Sequence, residues 1–308
     1  MSASTTLRSG HSELVITPSQ LAALPSSTTV PIDVTWFMPN VARNPNEEFL
    51  GKRIPDARRM DLDVVASEHP LGLKHMMPTG EVFAKACEEI GVSPASHVVL
   101  YDTHGVFSSP RALFMFKAFG HSKASILNGG LPRWVDEGHP TESGPLKAIE
   151  PAKYPAPTLK EDFVRDYEHI VKATTSNDGA TVVLDARPNG RFTGKDPEPR
   201  PNLSSGHMPS SRSLPFSNLL ARQQPSSDGS SYTTLLEPNS LLSEVEKVVG
   251  EHGLDGLNSK QVINSCGSGM TAAVIWLALQ ELGVNSSLYD ESWTGYAMRP
   301  ESKVLKNE

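Results

Sequence analysis

The chain repeats one order of structural elements in its two halves. In each half, short runs rich in β-branched residues alternate with helical runs, and this order predicts a parallel sheet flanked by helices. Residues 139–163 hold five prolines and little apolar periodicity, which is typical of a linker. The predicted fold class is therefore α/β, with one domain at residues 13–140, a linker at 141–163 and a second domain at 164–300.

The repeated runs can be matched position by position. The first half contains PIDVTW (31–36), HVVLYD (97–102), RALFMFKAFG (111–120) and ASILNGGLPRW (124–134). The second half contains TVVLDAR (181–187), SLLSEVEKVV (240–249), QVINSC (261–266) and TAAVIWLALQEL (271–282). Matching positions are Asp33 and Asp185, Pro55 and Pro209, Asp102 and Cys266, and Trp134 and Tyr296.

Composition excludes several classes of protein. The net charge of −7 argues against a broad nucleic-acid surface. No apolar run approaches the ~20 residues that a membrane helix needs. The first twelve residues lack the apolar region of a secretion signal, and they are rich in Ser and Thr with one Arg and no acid. Two cysteines make no disulfide framework, so we expect a reducing compartment, the cytoplasm or additionally the mitochondrion.

Cys266 ends a predicted buried strand and begins a loop that contains two glycines, Gly267 and Gly269. Ligands of an open parallel sheet bind beyond the carboxyl ends of its strands. The glycines let successive N–H groups point inward, and the helix that begins near Thr271 adds its positive end. Such a loop stabilises a thiolate or persulfide, which predicts Cys266 as a nucleophile. The alternative is a buried, inert cysteine in a tight turn.

The equivalent loop of the first half carries Asp102 at the cysteine position. Since an aspartate cannot be a sulfur nucleophile, we expect only the second half to be active, with Cys266 facing a cleft between the halves.

Other uses of cysteine fit the sequence less well. A loop of the tyrosine-phosphatase type needs Arg six residues after the cysteine, where Ala272 stands. A Gly-Lys-Ser/Thr ending and a Cys-x-x-Cys pair are both absent from the sequence, so neither a P-loop nor a metal site is predicted. Cys87 shares one helical face with Phe83, Ala86 and Ile90, which predicts a place in the core.

Four sequence motifs carry a family resemblance. They are Gly190-Arg191-Phe192-x-Gly194-x-x-Pro197-Glu198-Pro199-Arg200, Ser205-Gly206-His207-Met208-Pro209, SSPR (108–111) and YDESW (289–293). With the Cys266 loop, they resemble the two-domain rhodanese family of sulfurtransferases over about residues 13–297. The resemblance is to 3-mercaptopyruvate sulfurtransferases and their fungal relatives linked to tRNA thiolation. Thiosulfate-specific members carry basic residues straight after the cysteine, where this chain has Gly267 and Ser268.

The resemblance implies roles for further residues. Arg191 and Arg200 correspond to the arginines that hold the substrate carboxylate and keto group, and guanidinium suits that task through paired donors. Asp63, His75 and Ser268 correspond to a proton-handling set. His69 competes with His75 for the histidine position, because the segment between Asp63 and His75 departs from the family's usual residues. Substrate-binding positions in the loop would be Gly267, Gly269, Met270 and Thr271. TGY (294–296) replaces the family's usual Glu-Trp, so the rim of the cleft is expected to differ.

The implied activity is transfer of sulfane sulfur from 3-mercaptopyruvate, or more weakly thiosulfate, through a Cys266 persulfide. The acceptor would be a thiol such as thioredoxin, cyanide or a protein, and the chemistry requires no metal or organic cofactor. Two alternatives remain open. One is a sulfur relay that a cysteine desulfurase loads and that supplies a tRNA-thiolation sulfur carrier. The other is a non-catalytic rhodanese-like binding module.

Overall fold

A computed structural model describes residues 12–176, 179–225, 231–250 and 253–307. Within these residues the chain forms two five-stranded sheets and a two-stranded hairpin. None of the helices in this part of the chain is long and apolar enough to cross a membrane. The Ser/Thr-rich segment at the start of the chain lies, up to residue 11, outside the described residues.

The first sheet is parallel throughout and has the order β1-β5-β4-β2-β3. Its strands are β1 (Val15–Ile16), β2 (Thr29–Asp33), β3 (Arg58–Arg59), β4 (His97–Tyr101) and β5 (Ala124–Leu127). The helices around it are α1 (Pro18–Ala23), α2 (Pro45–Gly51), α3 (Gly80–Glu89), α4 (Ser109–Ala118) and α5 (Gly130–Asp136).

The second sheet repeats this arrangement as β6-β12-β11-β7-β8, again parallel. Its strands are β6 (Val164–Arg165), β7 (Thr181–Asp185), β8 (Arg212–Ser213), β11 (Gln261–Ser265) and β12 (Ser287–Tyr289), while β9 (Leu220–Gln223) and β10 (Tyr232–Leu235) form the hairpin. The helices are α6 (Tyr167–Thr175), α7 (Asn189–Thr193), α8 (Pro238–Val249), α9 (Gly253–Asn258), α10 (Ala272–Glu281) and α11 (Ser292–Ala297). The predicted α/β repeat is confirmed, since the two strand orders are the same permutation.

The strand predicted at residues 31–36 starts two residues too late and ends three residues too late. Strand β2 ends at Asp33, whose Oδ1 accepts a hydrogen bond from Thr35 N–H at 2.8 Å and turns the chain. Asp185 ends β7 in the same way, accepting from Arg187 N–H at 2.9 Å. The matched aspartates are therefore strand terminators, a role that β-branched character alone did not indicate.

The segment predicted as a linker, residues 141–163, contains no helix or strand but packs against the first half. Glu142 pairs with the buried Arg53 at 2.8 Å. Tyr154 is buried in the main core and its hydroxyl lies 2.9 Å from a ring nitrogen of His121. This segment is therefore an ordered strap rather than a free tether.

One continuous apolar core spans both halves of the chain. Its centre is the pair of apolar helices α4 and α10, where the rings of Phe114 and Trp276 meet edge to face at 5.2 Å. Helix α10 is buried on nearly every side, as its uniformly apolar sequence requires. Cys87 lies in this core fully buried, as predicted, and burial raises the pKa of its thiol. Because α4 and α10 each follow a central strand, their packing brings the ends of β4 and β11 toward one another.

Candidate functional site

Cys266 follows β11 directly and lies at the carboxyl end of the second sheet. The residue is 1% exposed, and its sulfur accepts a hydrogen bond from Gly269 N–H at 3.1 Å. The Ser292 hydroxyl lies 3.9 Å from the sulfur and accepts from Cys266 N–H at 3.1 Å. The neighbouring Gly267 and Ser268 are partly exposed. The Cys266 side chain thus belongs to the hydrophobic core, but an amide and a hydroxyl lie beside its sulfur and the next two residues are partly exposed.

The loop backbone is shaped by a glycine that no other residue could replace without strain. Gly269 has φ +84°, and a Cβ there would lie 2.7 Å from the Asp290 carbonyl oxygen. Of the predicted ring of inward amides, Gly269 N–H is the donor that reaches the sulfur. Among the described residues, the amides of Ser268, Thr271 and Ala272 have no hydrogen-bond acceptor.

The corresponding loop of the first half holds a carboxylate in its amide ring. Asp102 follows β4, is fully buried, and accepts from six donors at 2.8–3.0 Å. These donors are the N–H groups of His104, Gly105, Phe107, Ser108 and Ser109 and the Ser109 hydroxyl. The loop that follows a central strand in this fold is therefore an anion-binding nest, and in the first half the protein's own side chain fills it.

Arg191 and Arg200 meet at Gly267. A Cβ on Gly267 would lie 3.1 Å from Arg191 Nη2 and 3.5 Å from Arg200 Nη1. Burial lowers the pKa of Arg200, and the charge of Arg191 lowers it further, whereas Cys266 and Glu198 raise it. The two guanidinium groups therefore form a compact cationic pair on the exposed side of the cysteine.

A buried network orients Arg191. Its guanidinium pairs with Glu198, which also pairs with Arg187 at 2.8 Å. Burial opposes the charge on Arg187, but Asp185 and Glu198 outweigh it and raise the pKa of the guanidinium. Arg187 also stacks over Trp293, with its guanidinium carbon 4.0 Å from the ring centre. Glu198, the acid of the family motif and a residue without a predicted role, thus fixes the direction of Arg191.

Asp63 and His75 form the pair that the resemblance implied. His75 Nδ1 lies 2.8 Å from Asp63 Oδ1, and Trp36 donates to Asp63 Oδ2 at 3.0 Å. Burial opposes ionisation of Asp63, but the hydrogen bonds from His75 and Trp36 prevail and lower its pKa. His75 is 2% exposed, and within the described residues its Nε2 has no hydrogen-bond partner. His69 instead lies 3.6 Å from Glu291.

The remaining predicted loop residues lie in different surroundings. Ser268 is partly exposed, and its hydroxyl makes no hydrogen bond to any residue that the structure describes. Met270 is buried and its side chain belongs to the hydrophobic core, so only its backbone faces the loop. Thr271 caps the start of α10 without a side-chain hydrogen bond. In the described part of the chain, no group of three or more His, Cys, Asp or Glu side chains could hold a metal ion.

Two residues at this site were missed as site residues. Arg111, from the first half, donates to Asp290 Oδ1 at 2.7 Å and to the His75 carbonyl oxygen at 2.8 Å. Arg111 and Asp290 are members of two of the family motifs, SSPR and YDESW. Their place in these motifs could have indicated a role at the site. However, the two residues are 179 positions apart, and nothing in the sequence indicates that they form a pair.

Both halves of the chain match the family model of the Rhodanese-like domain, over residues 17–137 and 170–299. A protein of Schizosaccharomyces pombe described as a probable 3-mercaptopyruvate sulfurtransferase is 38% identical over 273 residues, covering 88% of this chain and 87% of the relative.

Solved structures are similar over nearly the whole chain. The Tum1 protein from Saccharomyces cerevisiae has a TM-score of 0.81 at 30% identity, over 96% of this chain and 98% of that protein. The 3-mercaptopyruvate sulfurtransferase SseA from Escherichia coli has a TM-score of 0.75 at 30% identity, over 91% and 98%.

Proposed function

Because this chain belongs to the rhodanese family of sulfurtransferases, we propose that Cys266 takes sulfur from 3-mercaptopyruvate as a persulfide and passes it to an acceptor. In this proposal residues 164–300 are the catalytic domain, and residues 13–140 are an inactive copy with Asp102 at the cysteine position. The segment 141–163 joins them.

The observation that carries the proposal is the hydrogen bond from Gly269 N–H to the Cys266 sulfur at 3.1 Å. The amides of Ser268, Thr271 and Ala272, which lack acceptors among the described residues, lie along the same loop. A persulfide is longer than a thiolate by one sulfur atom, and its outer sulfur carries the negative charge. These amides are the donors that we expect to hold that outer sulfur.

In the first step, the Cys266 thiolate attacks the sulfur of 3-mercaptopyruvate. A sulfur–sulfur bond forms and the carbon–sulfur bond breaks, with its electron pair going to the enolate of pyruvate. The proton of the substrate thiol ends on the methyl carbon of pyruvate, and Cys266 is left as a persulfide anion. This is nucleophilic catalysis through a covalent intermediate.

In the second step, an acceptor thiolate attacks the outer sulfur. A new sulfur–sulfur bond forms on the acceptor, the bond to Cys266 breaks, and its electron pair restores the Cys266 thiolate. Cyanide would accept the same atom as thiocyanate. No electrons beyond those of donor and acceptor are needed.

The substrate clamp in this proposal is Arg191 with Arg200, which bind the carboxylate and the keto oxygen. Their meeting point at Gly267, where both guanidinium groups come within 3.5 Å of the place that a β-carbon would occupy, supports this assignment. Asp63, His75 and Ser268 form the proposed proton-handling set, with the loop residues Gly267, Gly269, Met270 and Thr271 lining the site through their backbone. Thiosulfate would be the weaker donor, because residues 267 and 268 carry no positive charge.

Mass spectrometry after exposure to 3-mercaptopyruvate tests the proposal. The wild-type protein should gain one sulfur atom, located on Cys266. Cys266→Ser should gain none and lose turnover, while Cys87→Ala, the matched change at the buried second cysteine, should load like the wild type. An active Cys266→Ser protein would end the proposal and leave the non-catalytic binding module as the better account.

The acceptor side of the proposal includes protein partners as well as small thiols. Thioredoxin is the proposed general acceptor. In the relay alternative, a cysteine desulfurase loads Cys266, and Cys266 passes the sulfur to a tRNA-thiolation sulfur carrier. The proposed compartment is the cytoplasm with the mitochondrion as a second one, since one relative, from Arabidopsis thaliana, is described as mitochondrial. Rates of Cys266 loading from a desulfurase and from 3-mercaptopyruvate, measured side by side, distinguish relay from direct use of the small donor.

A further inference from the structure

Arg111 stands out among the buried charges that the proposed mechanism does not use. It lies in the first turn of α4 in the first half, yet its side chain is 3% exposed and reaches the loop that carries Cys266. Nη1 lies 3.4 Å from the Gly269 carbonyl oxygen. Nη2 donates both to Asp290 Oδ1 and to the His75 carbonyl oxygen. One first-half side chain thus contacts three separate segments of the site.

Each of these contacts fixes a group that the chemistry needs. Gly269 supplies the amide that holds the Cys266 sulfur. His75 forms the pair with Asp63. Asp290 lies two positions before Ser292, whose hydroxyl accepts from Cys266 N–H. The relative positions of the Cys266 sulfur, the Gly269 amide and His75 therefore depend on the N–H donors of one guanidinium group.

Asp290 completes the arrangement on the opposite side. Its Oδ2 accepts from Met77 N–H at 2.7 Å, so the carboxylate bridges Arg111 to the segment that follows His75. The Asp290 backbone oxygen packs against Gly269, where a Cβ would approach within 2.7 Å. Arg111 and Asp290 together clamp the loop of the second half to the His75 segment of the first.

We infer that Arg111 is a positioning residue for sulfur transfer, through which the inactive half sets the geometry of the Cys266 loop and of His75. It does not bind substrate, because it is almost fully buried and both terminal nitrogens are used by protein oxygens. The inference rests on the proposed role of Cys266. Besides Asp63 and His75, it gives the first half a further role in the reaction despite the lack of a nucleophile there.

The test compares Arg111→Met with the double variant Arg111→Met/Asp290→Asn in the full-length protein. The single variant leaves the buried Asp290 charge unpaired, which destabilises the fold, and the double variant removes that charge. A merely structural role predicts that the double variant recovers both melting temperature and kcat. A positioning role predicts recovery of the melting temperature alone, with kcat still reduced about 100-fold and the KM for 3-mercaptopyruvate within about threefold of wild type.

Arg53→Met is the matched control, since Arg53 is equally buried in the first half and pairs with Glu142 away from the Cys266 loop. It should lower the melting temperature and leave kcat per folded molecule unchanged. If Arg111→Met does not fold, Arg111→Lys replaces it in the test. Its kcat should fall about tenfold, because an ammonium cannot make the same set of hydrogen bonds as a guanidinium. Wild-type kcat in the double variant, or an equal loss in Arg53→Met, would overturn the inference. A wild-type protein that gains no sulfur at Cys266 would instead overturn the proposed function.

Discussion

Asp102 and Cys266 occupy the same position of the two halves, and each accepts a hydrogen bond from the amide of the glycine three residues later. Gly105 N–H donates to Asp102 Oδ1 at 3.0 Å, and Gly269 N–H donates to the Cys266 sulfur at 3.1 Å. The carboxylate is long enough to reach the amides farther along its loop, whereas the thiol sulfur reaches one. In the first half, the Asp102 side chain therefore fills the anion-binding nest. We expect the equivalent nest of the second half to bind the persulfide of Cys266.

Removal of the Asp102 carboxylate should destabilise the fold. Asp102→Ala leaves five amides, three of them buried, and a buried hydroxyl without their acceptor. Each buried unsatisfied group costs about 1–3 kcal/mol, so we expect a loss of at least about 3 kcal/mol in the free energy of unfolding. Chemical denaturation measures this loss. Cys266→Ala, which removes one acceptor from the equivalent loop, is the control and should cost much less. Equal denaturation midpoints for the two variants would show that the filled nest is not a stabilising feature.

Arg200 should discriminate between the two small sulfur donors. Arg200→Ala removes a charge-assisted contact to a carboxylate, worth about 1.5–3 kcal/mol, so the KM for 3-mercaptopyruvate should rise roughly 10- to 100-fold. Thiosulfate has no carboxylate, and its KM should rise much less. Glu198→Gln should act in the same direction but more weakly, because it releases Arg191 from the side chain that orients it. Steady-state kinetics with both donors measures these effects, and equal increases in the two KM values would contradict the clamp.

His75 and His69 should differ in their effect on turnover. His75 has φ +47°, a conformation that asparagine tolerates, so His75→Asn removes the imidazole with little backbone strain. We expect kcat to fall about 100-fold, the usual scale of a lost acid–base group. His69→Asn is the control, because His69 faces Glu291 rather than the Asp63 pair. A larger loss in His69→Asn would reverse the assignment of the family histidine.

The sequence predicted those parts of the molecule that depend on local apolar pattern. The strand before Cys266 and the helix after it are apolar runs with turn residues between them, and their predicted bounds lie within one residue of the structure. The glycines of the loop indicated the nest, and Gly269 does adopt a positive φ, a freedom that belongs to the residue itself. These features are predictable because each depends on residues that are neighbours in the chain.

Contacts between the halves could not be predicted in the same way. Arg111 and Asp290 were visible as motif members, but their pairing depends on how α4 packs against α10. His75 and His69 both lie in irregular backbone, where no periodicity indicates which side chain turns inward. The hairpin β9–β10 reaches the first half through Thr233, whose N–H donates to the His104 carbonyl oxygen. Among the first-half residues that the structure describes, no hairpin corresponds to it. All three features depend on contacts between segments that are distant in the sequence.

Asp33 should make the stability of the fold depend on pH. It is 1% exposed at the end of β2, and burial raises its pKa from the ordinary 3.8 to about 6, although Arg59 and the hydrogen bonds from Thr35 lower it. The folded state therefore binds this proton more tightly than the unfolded chain does. The resulting stabilisation is complete below pH 3.8 and is lost as the pH rises through about 6. Over that window the loss is on the order of 3 kcal/mol.

Asp33→Asn should remove this pH dependence, because the amide does not titrate. Its carbonyl oxygen can still accept from Thr35 N–H, while the pairing with Arg59 is lost at every pH. Free energies of unfolding of both proteins, measured by chemical denaturation at pH 4.5 and pH 7, separate the two effects. From pH 4.5 to pH 7, the free energy of unfolding of the variant should rise relative to that of the wild type. The lost Arg59 contact lowers the stability of the variant by the same amount at both pH values and so does not change this difference. Parallel stability curves for the two proteins would mean that the Asp33 carboxylate is charged throughout this range and that Arg59 fully compensates its burial.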